Sequence, residues 1–160
     1  MEADAFEQAL RPVLRRGAAY AVSFLRDRKD AEDAVQQAAL QAWHRRAQFD
    51  DRRPFKAWWF AILRHHCLDE LRARKRAPIP LGDGPELSSP ADESVLDRRA
   101  LATAMEKLPE TQRDVLRLRY FGDLTYHELA QVLDIPPGTV MSRLHLARKA
   151  LAVLVTREEP

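Results

Sequence analysis

Apolar residues recur three or four positions apart along most of the chain, and no stretch alternates apolar and polar residues over the length of a strand. In the first half this spacing predicts three helices. The first runs from about residue 3 into the twenties and can break near Gly17. The second begins at a capping residue, Asp30, and the third spans about residues 55–75. Ala, Leu and Arg are abundant, so the predicted fold class is all-α.

The apolar stripes of these three helices predict the core of the first half. In the first helix the predicted core residues are Phe6, Leu10, Leu14 and Phe24. In the second helix they are Ala34, Val35, Ala38, Ala42 and Trp43. In the third helix they are Trp58, Phe60, Ile62, Leu63, Cys67 and Leu71. Three amphipathic helices with such stripes predict a small helix bundle.

The second half predicts four further helices, the last two joined by a tight turn. One spans about residues 93–108, and another runs from Pro109 to near Gly122. Thr125 and Glu128 form a capping box that begins the third, and Pro136 and Pro137 end it. The apolar stripe of the last helix consists of Val140, Leu144, Ala147, Leu151 and Leu154. Two short helices around a tight turn indicate a helix-turn-helix, whose second helix enters a DNA major groove.

The face opposite that stripe carries the candidate DNA-reading residues. Gly138, Ser142, His145 and Lys149 lie on it, with Met141, Arg143 and Arg148 on its flanks. An ordinary helical hairpin with a solvated basic face would have the same spacing. The cap, the small Ala130 where the helices cross, the short turn and the basic second helix favour DNA binding.

Charge divides the chain into three parts. Residues 1–76 have a net charge of +5 and residues 98–160 of +2, whereas residues 77–97 have a net charge of −5. The segment from Ala77 to Glu93 contains four Pro, two Gly and two Ser, which predicts an extended, flexible linker. Two small domains, residues 1–76 and 94–160, are therefore expected on either side of it.

An enzyme is the first rival interpretation. It would depend on His65, His66, Cys67 and Asp69, with His44 nearby. Neighbouring residues on a helix point about 100° apart, so this run does not chelate one metal ion by itself. We therefore expect no catalytic residue, metal or cofactor. The single Cys fits a reducing compartment, and the lack of a membrane-length apolar run predicts a cytoplasmic protein without membrane insertion.

Three segments in this order resemble the extracytoplasmic-function (ECF) sigma factors of bacterial RNA polymerase: residues 30–43, 55–76 and 108–151. The resemblance implies the second and fourth sigma domains, at 1–76 and 94–160, joined by a linker at 77–93. It implies binding to core RNA polymerase and recognition and melting of promoter DNA, without enzymatic activity. The implied partners are the clamp helices of the largest polymerase subunit, the flap of the second-largest subunit, promoter DNA and an anti-sigma factor.

The resemblance also implies a role for particular residues. The core polymerase would contact Asp30, Asp33, Gln36, Gln37 and Trp43. The minus-ten promoter element would contact Arg52, Arg53, Phe55, Lys56, Trp59, Arg64, His65 and Arg72, whereas Trp58 and Phe60 are expected in the core. The minus-thirty-five element would contact Arg119, Thr139, Met141, Ser142, Arg143, His145 and Arg148.

This chain departs from the family at several positions, one of which is Trp59, where the family favours an aliphatic residue. Met141 and Leu146 stand where the family commonly has Lys and Arg, Gln37 where it usually has Glu, and His65 where it often has Asn.

The second rival interpretation is a free-standing helix-turn-helix regulator. Such proteins usually dimerise to read paired half-sites, and the segments in the first half argue against that interpretation.

Overall fold

The computed structural model describes residues 1–76 and 93–158, and within those ranges the regular structure is helical throughout, as predicted. The elements are α1 (Ala3–Leu25), α2 (Arg28–His44), a short 3-10 helix (Arg46–Gln48), α3 (Phe55–Arg76), α4 (Glu93–Glu106), α5 (Glu110–Tyr120), α6 (Tyr126–Leu133) and α7 (Pro137–Glu158). The predicted linker, apart from Glu93, lies outside the described residues. No helix in the described ranges has the length and apolar character needed to cross a membrane.

Helix α1 is continuous through Gly17, so the expected break there is wrong. A Cβ atom placed on Gly17 would lie 2.2 Å from Cη2 of Trp59 in α3. The glycine is therefore needed for the close approach of α1 to the Trp59 indole and does not interrupt the helix.

Helix α2 begins three residues earlier than predicted. Its N-cap is Asp27, whose side chain accepts a hydrogen bond from the backbone N–H of Asp30 at 2.9 Å. Asp30 therefore lies in the first turn, and its own carboxylate pairs with Arg74 of α3. The buried side of α2 consists of Ala31, Ala34, Ala38 and Ala42. These small side chains let α2 pack closely against α1 and α3, which completes the three-helix bundle.

The helix-turn-helix is built as the sequence predicts. Thr125 Oγ accepts from the N–H of Glu128 at 3.2 Å, and the Glu128 carboxylate accepts from the N–H of Thr125 at 2.9 Å. Asp134 ends α6 with a left-handed backbone, φ 53° and ψ 50°. The side chains of Val140, Leu144 and Ala147 are fully buried. Helix α7 is thereby fixed against α5 and α6 by one stripe, and its opposite face points to solvent.

The two helical groups pack against each other through α3 with α6 and α1 with α5. Gly122, which follows α5, lies against the Phe60 ring, and a Cβ atom there would be 3.0 Å from that ring. Lys56 of α3 donates to the carbonyl oxygen of Asp123 at 2.7 Å. The buried apolar residues of both groups form one continuous cluster. The structure is thus a closed arrangement of two small domains.

Candidate nucleic-acid interface

The outer face of α7 is the candidate surface for contact with DNA. Met141, Ser142, His145, Leu146 and Lys149 are exposed on it. Thr139 and Arg143 lie at its edge and are half-buried, as expected for residues beside the apolar stripe.

A cluster of tyrosines and arginines borders this face. Arg148 Nε donates to the Tyr120 hydroxyl at 2.7 Å and Arg148 Nη1 to the Tyr126 hydroxyl at 3.4 Å. The hydrogen bond from Arg148 lowers the pKa of Tyr126. Arg119 lies 5.7 Å from the centre of the Tyr126 ring and donates to the Leu124 carbonyl at 3.0 Å. Two cations are therefore held together at one edge of α7, where phosphate groups would pass. Sequence reasoning did not assign the two tyrosines to this edge, because their contacts to Arg148 span 22 and 28 residues of chain.

On α3, the candidate residues for the minus-ten element fall into distinct environments. Arg53, His65 and Arg72 are exposed. In contrast, Lys56 and Arg64 are tied to the second domain, at Asp123 and Asp114 respectively. Arg72 lies 3.6 Å from the Asp69 carboxylate on the same helix.

Trp59 requires a correction. It was expected among the residues that contact DNA, but its side chain is fully buried and packs against Gly17 of α1. Its ring also meets Phe60 edge-on, with centroids 5.4 Å apart. An indole enclosed between α1 and α3 has no face free to stack on a base. The expectation for Phe60, which is also fully buried, is confirmed.

An aromatic cluster lies where the loop before α3 meets the start of that helix, and Phe55 is at its centre. Its ring meets the Phe49 ring at a centroid distance of 5.6 Å and the Trp58 ring at 5.7 Å. Phe49 and Trp58 are themselves 5.0 Å apart. Beside them, Arg52 donates to the Asp50 carboxylate at 2.9 Å, and this hydrogen bond lowers the pKa of Asp50. Phe49 was not predicted as part of this surface, because it lies in a polar loop sequence.

A buried carboxylate joins the two domains. Asp114 of α5 accepts hydrogen bonds from Arg64 Nε at 2.6 Å and from the Tyr20 hydroxyl at 3.1 Å. Burial raises the pKa of Tyr20 well above its usual value, and the Asp114 carboxylate raises it further. Burial likewise raises the pKa of Cys67 to about 12, with a further contribution from Asp114. Sequence reasoning missed Tyr20 and Asp114, because neither residue interrupts the helical pattern.

The exposed side of α2 is the candidate surface for the polymerase. Asp33, Gln36 and Gln37 are exposed there, together with Leu40, whose side chain is 54% exposed and was not predicted. Trp43 is half-buried, and its ring packs against Phe6 at 5.4 Å and under the Arg46 guanidinium at 3.7 Å. Asp30 forms an ion pair with Arg74 of α3, so its carboxylate stabilises the helix bundle and is less available to this surface.

The residues of the enzyme interpretation do not assemble into a site. Among the described residues, no group of three or more His, Cys, Asp or Glu side chains is placed to hold a metal ion. His66 contacts the Gln41 side chain, and burial lowers the pKa of His66. Cys67 is buried in the core.

Comparison with known families matches both halves of the chain. Residues 8–77 match the Sigma-70 region 2 model, and residues 98–151 match the Sigma-70, region 4 model. The ECF RNA polymerase sigma factor SigL of Mycobacterium tuberculosis is 38% identical over 138 residues, which cover 82% of this chain and 78% of SigL. The ECF RNA polymerase sigma factor RpoE of Cereibacter sphaeroides is 37% identical over 123 residues, which cover 73% of this chain and 67% of that protein.

Two solved structures resemble the whole fold. The sigma factor RpoE from Bartonella quintana, in complex with the anti-sigma factor NepR, matches with a TM-score of 0.75 and 27% identity and covers 98% of this chain and 100% of its own. CnrH, in complex with the cytosolic domain of CnrY, matches with a TM-score of 0.77 and 26% identity and covers 99% of this chain and 92% of its own. The chain therefore belongs to the ECF sigma factors of the sigma-70 family and is an RNA polymerase sigma factor that acts in promoter-specific initiation of transcription.

Proposed function

We propose that each of the three exposed surfaces described above binds a different partner during initiation of transcription. The outer side of α2 docks on the clamp helices of the largest polymerase subunit. The surface formed by α3 and the loop before it captures the minus-ten element, α7 reads the minus-thirty-five element, and the second domain rests on the flap of the second-largest subunit. Initiation takes place in the cytoplasm. The chain itself contributes no catalytic residue, metal or cofactor.

The docking role of α2 is supported by the side chains that are free to form it. Gln36 and Gln37 are polar and exposed, and both lie one turn before Leu40 on α2. An exposed Leu beside hydrogen-bonding side chains is typical of a protein interface, whose apolar centre has a polar rim. Asp33 adds a negative charge one turn earlier, whereas Trp43 supports the surface from its packed position against Phe6.

The minus-ten role of α3 is supported by cations beside an aromatic cluster. Promoter melting requires a base to leave its stack and be held by the protein, which costs a few kcal/mol. Cations and aromatic faces hold such a base and its phosphates. Arg53, His65 and Arg72 are exposed to solvent, whereas Lys56 and Arg64 become available only when the second domain leaves α3. Phe55 and Trp58 supply the aromatic cluster.

The observation that carries the minus-thirty-five role is the two-sided character of α7. The side chains of Val140, Leu144 and Ala147 on one side of the helix are buried, and the side chains on the other side are exposed to solvent. Arg148 and Arg119, gathered with two tyrosines at its edge, are suited to phosphate contact. The edges of the bases would contact the exposed side chains of α7 that lie beside these two arginines.

An anti-sigma factor is a further proposed partner. One similar structure is a sigma factor in complex with the anti-sigma factor NepR, and the other is CnrH in complex with the cytosolic domain of CnrY. Each match extends over nearly the whole chain. We propose that the closed arrangement of this chain is the form that such a partner would hold, because Lys56 and Arg64 are then withheld from DNA.

The test is binding of a labelled promoter duplex, followed by fluorescence anisotropy. Three samples are compared: the chain alone, core polymerase alone, and the two together. A sigma factor gives weak binding alone and tight, sequence-dependent binding with core. Tight binding by the chain alone, without a contribution from core, would favour the free-standing regulator instead.

A further inference from the structure

Two large apolar side chains lie on the exposed surface of α7. Met141 is 58% exposed and Leu146 is 55% exposed. Both lie in the part of α7 that follows the turn, where the second helix of a helix-turn-helix approaches base edges. They flank the strip formed by Ser142 and His145.

The polar side chains around them offer little hydrogen bonding to bases. The Ser142 hydroxyl donates to the carbonyl of Gly138 at 3.0 Å, so it is turned toward the helix backbone. Arg148 is held by two tyrosine hydroxyls at the edge of the helix. Only His145 and Lys149 remain as exposed polar side chains on this part of the outer face. The character of the reading surface is therefore set largely by Met141 and Leu146.

The major groove offers one apolar group along its floor, the C5 methyl of thymine, and apolar side chains contact it. Met141 and Leu146 donate no hydrogen bond and carry no charge for a phosphate. We propose that these two residues read thymine methyl groups in the upstream promoter element, an inference that rests on the proposed placement of α7 in the major groove.

The spacing of the two side chains assigns them to different thymines. Five residues separate them, which corresponds to about 7.5 Å along the helix axis and about 140° around it. Base pairs are about 3.4 Å apart, so side chains at this separation would reach different base pairs. We expect an upstream element with thymine at two separate positions.

The experiment uses holoenzyme, formed from core polymerase and the full chain. The upstream element is first selected from random duplexes, and each of its thymines is then replaced singly by deoxyuridine. This replacement removes the methyl group and keeps the hydrogen-bonding groups. Loss of one methyl contact should weaken binding about fourfold at two of the thymines.

Three variants assign the contacts to residues. M141A should abolish the preference for thymine over uracil at one position, and L146A should abolish it at the other. V153A is the matched control, because Val153 is 46% exposed on the same helix but lies farther from the turn. It should keep both preferences.

The outcomes separate this inference from the proposed function. A wild-type holoenzyme that selects an upstream element yet binds thymine and uracil equally would overturn the methyl contacts and leave α7 in the groove. Failure to select any upstream element would overturn the placement of α7 and the inference with it. If M141A and L146A instead weaken binding to core polymerase and leave the preference for thymine unchanged, the two side chains serve a protein contact.

Discussion

Arg64 of α3 and Asp114 of α5 form an ion pair across the two domains, with Nε and Oδ2 2.6 Å apart. Asp114 is 4% exposed, so its carboxylate is removed from water and depends on the first domain for its partners. Removing one member of such a buried pair generally costs about 3–5 kcal/mol, because the other charge is left without compensation. In this chain the uncompensated group can regain water if the domains separate.

We therefore expect D114A to open the closed arrangement. The radius of gyration measured by small-angle X-ray scattering should increase, because Arg64 and Tyr20 lose their shared acceptor. D69A is the matched control, since Asp69 is an exposed carboxylate that pairs with Arg72 on its own helix. An unchanged radius in D114A would show that the remaining contacts between the domains hold them together without the buried ion pair.

Leu40 provides a test of the docking surface on α2. L40A should weaken binding to core polymerase by roughly tenfold if the side chain becomes buried there. The matched control is V22A, because Val22 is an apolar residue of α1 that is also exposed. Affinities can be measured by titrating labelled protein with core. Equal affinities for L40A, V22A and wild type would remove Leu40 from the interface.

Arg143 tests the distinction between phosphate contact and base contact. R143A should weaken holoenzyme binding to all promoters by a similar factor and reduce the slope of log K against log salt by about 1. R16A, which removes an exposed arginine from α1, should leave the slope unchanged. A changed sequence preference with unchanged affinity would instead assign Arg143 to a base.

Asp134 occupies a left-handed backbone position, where a residue with a Cβ is disfavoured. D134G should raise the free energy of unfolding, by up to about 1 kcal/mol. D33G, placed in the second turn of α2, should instead lower it, because glycine in a helix interior is destabilising. Urea denaturation measures both variants. A loss of stability in D134G would mean that the Asp side chain supports the turn.

Cys67 tests whether the chain has a reactive thiol. Burial raises its pKa to about 12, so the neutral thiol is the favoured form in the folded protein. The stability that this shift contributes is complete below the unfolded-state pKa of about 8.5 and is lost as the pH rises toward 12. At pH 8 a disulfide reagent should therefore label Cys67 only as fast as the protein unfolds. Rapid labelling of the folded protein would reopen the possibility of a sensor.

Local patterns in the sequence predicted most of the helices and the recognition surface. The capping box at Thr125 and the stripe from Val140 to Ala147 depend on residues three or four apart, and both occur in the structure. The start of α2 was predicted three residues late, because Asp27 and Asp30 are both acceptable caps and only the fold shows which carboxylate is free.

Contacts between distant residues account for what the sequence did not reveal. Gly17 was taken as a point of weakness, but its role depends on Trp59, which is 42 residues away in the chain. The pairing of Tyr20 and Arg64 with Asp114 spans 94 and 50 residues, respectively. Helical periodicity assigns a residue to a face and carries no information on which other helix that face meets.

The most direct test of the central claim is run-off transcription with core polymerase from a related bacterium, with and without this protein, on a library of genomic promoters. A sigma factor that acts as described should generate new transcripts whose start sites share two spaced upstream elements, and the amount of these transcripts should fall with L40A when the protein is limiting. If no new transcripts arise although the protein binds core stably, the account of promoter recognition by α3 and α7 would be contradicted.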